Sequence, residues 1–338
     1  MPPRAERALT VAVTGPTGTF GFGLMPLLEG DDRFARIVGI ARRPFSPAAH
    51  GWTKMEYRQG DVRNRAALES AFAEADAVVH LAFMITGTTS RDATRAINVD
   101  GTVNAFRAAA MTGARRFVYA SSVAAYGFHP DNPEGMTEDW PVRPASRLFY
   151  AQEKAEIEQL LADEAKAHSE LDLYVLRPPI VLGPHAVGGK QLLPAWLAPL
   201  ANRLGGSVRR LPLPLPALVP DLPLQFIHEE DVGQALLLCI VGAGPPGPYN
   251  ITGDGVLTGA DVARELGIYP IPVPRRLVHS AARALAAVPA PGFAPPFIEW
   301  VEAASHPAIM DAREAKQQLG WAPRFTGREA LRDTLATT

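Results

Sequence analysis

Tyr150 and Lys154 stand four residues apart in Tyr150-Ala151-Gln152-Glu153-Lys154, within a stretch of strong helical character. Side chains at i and i+4 share a helix face, so the ammonium can lie beside the phenol. A neighbouring cation favours phenolate and lowers a tyrosine pKa from about 10 toward the working range, as a general acid/base requires. Such a pair occurs by chance in many chains. It gains force from Phe117-Val118-Tyr119-Ala120-Ser121-Ser122-Val123, because a serine at the carboxyl end of a buried parallel strand points into the ligand crevice of an α/β sheet. Ser122 would there orient a substrate oxygen by a hydrogen bond.

A second chemistry, anion binding, is written near the start. An apolar strand at 9–13 runs into Thr14-Gly15-Pro16-Thr17-Gly18-Thr19-Phe20-Gly21 and then into an apolar, helix-like stretch. Gly15, Gly18 and Gly21 would let the backbone turn, approach a pyrophosphate and pack helix on strand, with the helix N-terminus stabilising the negative charge. The alternative is an ordinary tight turn, which the position after the first strand disfavours. Pro26 should kink this helix or end it early. Roughly twenty residues further on, folds that select NAD place a carboxylate for the ribose 2′-hydroxyl. Here Ala41 stands in that place and Arg42-Arg43 follow. Two guanidiniums could pair with a 2′-phosphate, favouring NADP; otherwise they are solvated surface charges. In Gly60-Asp61-Val62, Asp61 would accept from an adenine amino group or cap the next helix. In His80-Leu81-Ala82 the small Ala82 would let a cofactor pass close to the backbone, whereas His80 alone reads as a core histidine.

The elements that must position these groups follow from the apolar pattern. Short apolar runs at 8–13, 37–40, 77–81 and 117–120 alternate with helix-like stretches at 64–73, 91–111 and 147–168, and another strand is expected at 171–177. Buried parallel strands read as continuous apolar runs, so the alternation predicts βαβ units. Prolines then break the pattern at 211–224 (LPLPLPALVPDLPL) and at 269–296. Each internal proline costs a helix about 3 kcal/mol, so both stretches read as loops or lobe segments. Residues 225–241 and 249–251 look like a return to the sheet, and 311–319 and 328–335 like closing helices. A discontinuous second lobe is expected.

Composition narrows the partners. Over 338 residues, 33 basic side chains face 35 acidic ones, leaving a formal net charge of -2 and no excess to neutralise a nucleic-acid backbone. The one cysteine, Cys239, sits in an apolar run; it can form neither an internal disulfide nor a thiolate metal site and reads as a buried thiol. With no signal-peptide-like start and no apolar stretch of about 18 residues, the expectation is a cytoplasmic protein with no membrane segment.

Taken in order, TGPTGTFG, GDV, HLA, Asn98-Val99-Asp100-Gly101-Thr102, SSVAAYG, YAQEK, LRPPIVLGP at 176–184, FIHEEDV at 226–232 and LGWAP at 319–323 resemble the extended branch of the short-chain dehydrogenase/reductase superfamily, the NAD-dependent epimerase/dehydratase proteins. The resemblance covers nearly the whole chain. It implies an α/β, Rossmann-type doubly wound parallel sheet at 1–180 plus 225–252, with a smaller, discontinuous C-terminal substrate lobe at 181–224 plus 253–338. It assigns Ser122, Tyr150, Lys154 and Asn98 to catalysis, with Asn98 closing a polar relay. Cofactor contacts would come from Gly15, Thr17, Gly18, Thr19, Phe20, Gly21, Arg42, Arg43, Asp61, Val62, Leu81, Ala82, Tyr150, Lys154 and Pro178. A homodimer through helices near 91–111 and 147–168 is also implied.

Departures from the family narrow the chemistry. Sugar-nucleotide dehydratases carry an Asp-Glu pair beside the catalytic Ser or Thr, whereas Val123-Ala124 follow Ser122 here. Ile180 replaces an Asn, and Leu224-Gln225 replace an Arg-Asp, of the UDP-sugar epimerases. The LRPPIVLGP run and the arginines after strand two instead resemble the reductase wing, with its dihydroflavonol reductase and 3β-hydroxysteroid dehydrogenase relatives. The spacing from Pro144 to Tyr150 is longer than the common version. The expectation is therefore an NADP(H)-dependent carbonyl reductase or alcohol dehydrogenase for a small, rather apolar substrate, with 211–224 lining or lidding the pocket or serving only as packing. The alternatives are an NAD-dependent sugar or sugar-nucleotide epimerase and a non-catalytic NADP-sensing protein.

Overall fold

The computed structural model describes residues 7–85, 90–186, 216–220, 222–273, 277 and 306–336. In chain order the first part runs β1 (Leu9–Thr14), α1 (Thr19–Gly30), β2 (Phe34–Ala41), β3 (Met55–Gln59), α2 (Arg65–Phe72), β4 (Ala77–His80), α3 (Arg91–Arg95), a π-helical turn (Ala96–Asp100), α4 (Gly101–Thr112), β5 (Arg116–Ala120), α5 (Phe149–Ala167) and β6 (Asp172–Arg177). Then follow β7 (Ile180–Leu182), β8 (Pro216–Pro220), β9 (Pro223–Leu224), β10 (Phe226–His228), α6 (Glu229–Val241), β11 (Gly247–Asn250), β12 (Leu257–Thr258), α7 (Gly259–Glu265), β13 (Tyr269–Val273), α8 (Arg313–Gln318) and α9 (Gly327–Ala336).

Seven strands make one parallel sheet in the order β11-β6-β5-β4-β1-β2-β3. Successive side chains of a strand alternate between faces, and both faces are covered. Val11 and Val13 join Leu24 and Met25 of α1 and Val232 and Leu236 of α6; Ala12 joins Leu68, Phe106, Ile157 and Leu161 of α2, α4 and α5. This is the expected doubly wound Rossmann-type fold. Where the order reverses, between β1 and β4, the carboxyl ends of the strands open a crevice for ligands.

Helices α1 and α6 approach to backbone contact. A Cβ on Gly23 would lie 2.0 Å from the Glu229 carbonyl oxygen, and one on Gly233 would lie 2.1 Å from that of Gly23. Contrary to an early end at Pro26, α1 continues to Gly30. Pro26 faces outward while Leu24, Met25 and Leu28 are buried, and that burial offsets the lost hydrogen bond. The helix expected over 91–111 is interrupted by the π-helical turn, which carries the buried Asn98. The two proline-rich stretches expected as loops or lobe segments contain strands: β8 and β13 pair in parallel, with Ala217 opposite Pro270 and Val219 opposite Pro272. Prolines spaced evenly along a strand turn the missing N–H to one side, so Pro216, Pro220, Pro270 and Pro272 can all face away from the ladder. Residues 211–215 and 221 lie outside the described residues. No helix among the described residues is long and apolar enough to cross a membrane.

Candidate active site

The glycine loop is shaped by contacts that exclude side chains. Gly15 has φ +69°, and a Cβ there would fall 2.9 Å from the Ala82 amide nitrogen; on Gly21 it would fall 2.1 Å from the Pro16 carbonyl oxygen. Gly18 is different, its nearest neighbour being the Gly15 oxygen at 3.5 Å, so the backbone there is open to a ligand. Gly18 caps α1 without a side-chain hydrogen bond, and the first turn holds no acidic residue. The N–H groups of that turn keep their positive potential, and the loop therefore fits a pyrophosphate. Thr17 and Phe20 are half-buried beside it, while Thr19 donates its hydroxyl to the His185 carbonyl at 3.0 Å.

Around the carboxyl ends of β1 and β4, the Thr14 hydroxyl oxygen accepts from the amides of Leu81 and Ala82, both at 3.2 Å. His80 is a core histidine. The Thr102 hydroxyl donates to the Asn98 carbonyl, so it accepts from Nε2–H of His80 at 3.0 Å, and Thr14 donates to Nδ1 at 2.9 Å. Burial first, and the charge of Lys154 second, push this imidazole down to about 3, so it stays neutral.

At the far end of the crevice Arg42 and Arg43 are exposed, and neither side chain has a hydrogen bond or ion pair among the described residues. Asp61 does not cap α2, whose cap is Asn64. Its carboxylate is instead gripped by Arg63, Nε to Oδ1 at 3.0 Å and Nη2 to Oδ2 at 2.7 Å, which holds its pKa below the usual carboxylate range. Val62 is buried, and its Cγ2 would lie 2.5 Å from a Cβ on Gly101.

Ser122 follows β5, and its oxygen accepts from the Ala124 amide at 3.2 Å. Val123 N–H donates to the Pro178 carbonyl at 2.9 Å, fixing this turn against the chain leaving β6. Ser122 acts on Tyr150 in the direction of phenolate, but burial outweighs it and the tyrosine pKa is raised. This corrects the expectation that Lys154 pulls it down. The ammonium instead donates to Tyr119 Oη at 3.1 Å and to the Ala120 carbonyl at 2.7 Å, and stands 5.9 Å from the Tyr150 ring centroid. Phe83 covers it at 3.7 Å and meets Tyr150 edge-on. With its residue only 3% exposed, Lys154 is pushed down by burial to about 7, against the opposing pull of Glu158 and Glu153.

Asn98 makes no hydrogen bond to Lys154. Its amide accepts from the Met84 N–H at 2.8 Å, donates to the Met84 carbonyl at 3.0 Å and donates to Glu153 Oε2 at 2.7 Å. It clamps the chain after β4 and ties it to α5. Glu153 is 2% exposed and its other oxygen has no hydrogen-bond partner among the described residues; burial raises its pKa.

Several residues escaped the sequence reading. Glu158 accepts from Ser121 Oγ, from Arg177 Nε at 3.1 Å and from Arg177 Nη2 at 2.6 Å, and Arg177 also donates to Tyr126 Oη at 2.6 Å. The signal was present for Glu158, one helical turn beyond Lys154 on the same face. No local signal marked the pairing of the buried Glu229 with His185 Nδ1 at 2.6 Å.

The profile of the NAD dependent epimerase/dehydratase family matches residues 11–252, which includes all the candidate site residues. The chain belongs to the NAD dependent epimerase/dehydratase family. It is accordingly an NAD(P)-dependent oxidoreductase or epimerase. An uncharacterized protein of Sinorhizobium fredii is 26% identical over 340 residues, covering 96% of this chain and 77% of that one. An uncharacterized protein of Mycobacterium tuberculosis is 28% identical over 336 residues, covering 97% of this chain, and the chain spans only 30% of its length. Among solved structures, WbmG of Bordetella bronchiseptica in complex with NAD matches with a TM-score of 0.69 at 20% identity, over 100% of this chain and 96% of that one. UDP-glucose 4-epimerase of Thermotoga maritima with UDP-glucose matches with a TM-score of 0.72 at 18% identity, over 97% of this chain and 98% of that one. At these identities the likeness is one of fold.

Proposed function

We propose that this family member is an NADP(H)-dependent carbonyl reductase or alcohol dehydrogenase acting on a small, rather apolar substrate. The observation that carries the reading is the placement of Ser122 beside Tyr150, with Lys154 buried one helical turn further along. A bound nicotinamide supplies or takes the hydride at C4. Ser122 donates to the substrate oxygen and holds it beside the phenol, and Tyr150 Oη gives that oxygen its proton in reduction or takes it in oxidation. Lys154, whose pKa burial brings down to about 7, lends the phenol a positive potential at and below that pH. Asn98 holds Met84, and hence Phe83, over the ammonium. The 2′-phosphate of NADP would be met by the exposed Arg42 and Arg43, and Asp61 and Val62 would border the adenine. The apolar character of the substrate is supported by Leu224, which stands where the UDP-sugar epimerases carry the arginine a diphosphate would pair with, beside Gln225, whose buried amide is tied to the Met310 backbone at 2.9 and 2.8 Å.

Tyr150→Phe should lower turnover by about 10²–10⁴-fold on a substrate found by a carbonyl panel, with dinucleotide affinity retained. Full turnover by that variant would refute the mechanism. A second reading, an NAD-dependent epimerase of a sugar or sugar nucleotide, is favoured by the likeness to UDP-glucose 4-epimerase. It predicts NAD(H) carried through purification and no net consumption of NADPH.

A further inference from the structure

We propose that Tyr57 and Gln59 of β3 are positioning residues for dinucleotide selection, holding the carbonyls of Ala41, Arg42 and Arg43 so that both guanidiniums stand ready for a ribose 2′-phosphate. This rests on the NADP reading above and assigns the residues that enforce it. The chain leaving β2 is tied at three consecutive carbonyls. Tyr57 Oη shares its hydrogen between the Ala41 carbonyl, at 3.0 Å, and that of Arg43. Gln59 Nε2 donates to the Arg42 carbonyl at 2.9 Å, and the Gly60 amide completes the strand pairing to Ala41 at 3.0 Å. Residues 57 and 59 project from the same side of β3, so one edge of one strand holds the whole turn.

The local sequence adds to the constraint. Pro44 follows Arg43 and restricts it to extended backbone, so the segment loses little further freedom when a ligand arrives. Half-burial raises the Tyr57 pKa, so the phenol remains a donor across the physiological range. Phe45 packs 5.6 Å from the Tyr57 ring and 5.4 Å from Trp52, anchoring the far side of the turn in the core beneath α1. The backbone is therefore fixed while the two exposed arginine side chains make no hydrogen bond or ion pair among the described residues. Asp61 interacts electrostatically with Arg42, but its carboxylate is already gripped by Arg63. The local balance beside Arg42 and Arg43 stays positive.

An arginine on a slack turn would bind the same anion only after ordering that turn, so loosening the carbonyls should cost affinity for the phosphorylated dinucleotide alone. Tyr57→Phe keeps the ring and deletes the donor; Gln59→Leu deletes the donor with little change of size at an exposed position. By protein fluorescence titration, each should weaken NADPH binding by about 3- to 10-fold, the worth of one hydrogen bond, and leave NADH binding within about twofold. Both should melt with the parent protein. Arg42→Ala is the reference. If it narrows the NADPH/NADH gap while Tyr57→Phe and Gln59→Leu leave the gap unchanged, or weaken both dinucleotides equally, the positioning role is refuted and the NADP reading stands. If the parent protein binds NADPH and NADH alike, or Arg42→Ala leaves a gap intact, the NADP reading fails and the positioning role fails with it.

Discussion

Replacing Lys154 by Met should flatten the pH dependence of folding stability between about pH 7 and 9. The ammonium is ordinarily lost near 10.5, and burial brings this down to about 7 in the folded chain. Between those values the unfolded chain holds a proton that the folded chain has released, so stability rises with pH across the window and levels off above about 10.5. Each pH unit is worth at most about 1.4 kcal/mol, and integrating from pH 7 to 9 with both pKa values gives about 2 kcal/mol from this one side chain. The measurement is guanidinium unfolding followed by tryptophan emission at fixed ionic strength, for the parent and Lys154→Met at several pH values. Other groups titrate alike in both proteins, so the difference between the two curves isolates the lysine. Met also strips a donor from Tyr119 Oη and the Ala120 carbonyl, which shifts its whole curve down without tilting it. Parallel curves would refute the reasoning, because they would mean that Glu158 and Glu153 keep Lys154 charged throughout.

Three other outcomes follow from the packing. Gly233→Ala should cost about 1–3 kcal/mol or abolish folding, since its Cβ would lie 2.1 Å from the Gly23 carbonyl oxygen, whereas Gly30→Ala, with nothing within 4 Å, should leave the midpoint within about 1 kcal/mol of the parent. Arg177→Met should destabilise by about 3–5 kcal/mol in chemical denaturation, because it strands the buried Glu158; Glu158→Gln should lower the Lys154 pKa further and move any turnover inflection near pH 7 toward acid. Sedimentation should find twice the chain mass of 36.3 kDa, if the faces of α4 and α5 form the expected homodimer with Met111, 68% exposed, near the seam; Met111→Glu should then return it to one copy.

The parallel sheet was legible in its local units because each βαβ segment declares itself. Continuous apolar runs mark buried parallel strands, and Gly15 and Gly21 are required wherever a backbone must pass at contact distance. The i, i+4 spacing of Tyr150 and Lys154 was equally readable. Where an ammonium goes within its face was not, because that depends on β5 presenting Tyr119 and the Ala120 carbonyl to α5. Prolines marked 216–220 and 269–273 as non-helical, but no local rule says that two such segments, far apart in the chain, will pair.

What the sequence alone determined is the set of chemical groups and the elements that carry them: the glycine loop, the serine after a strand, the tyrosine and lysine on one helix face. Only the tertiary structure decided their electrostatics. Burial raised Tyr150 and lowered Lys154, and Arg177, brought from β6, neutralised Glu158 at 2.6 Å. Desolvation belongs to the packed interior as a whole, and so it cannot be read from residues taken a few at a time.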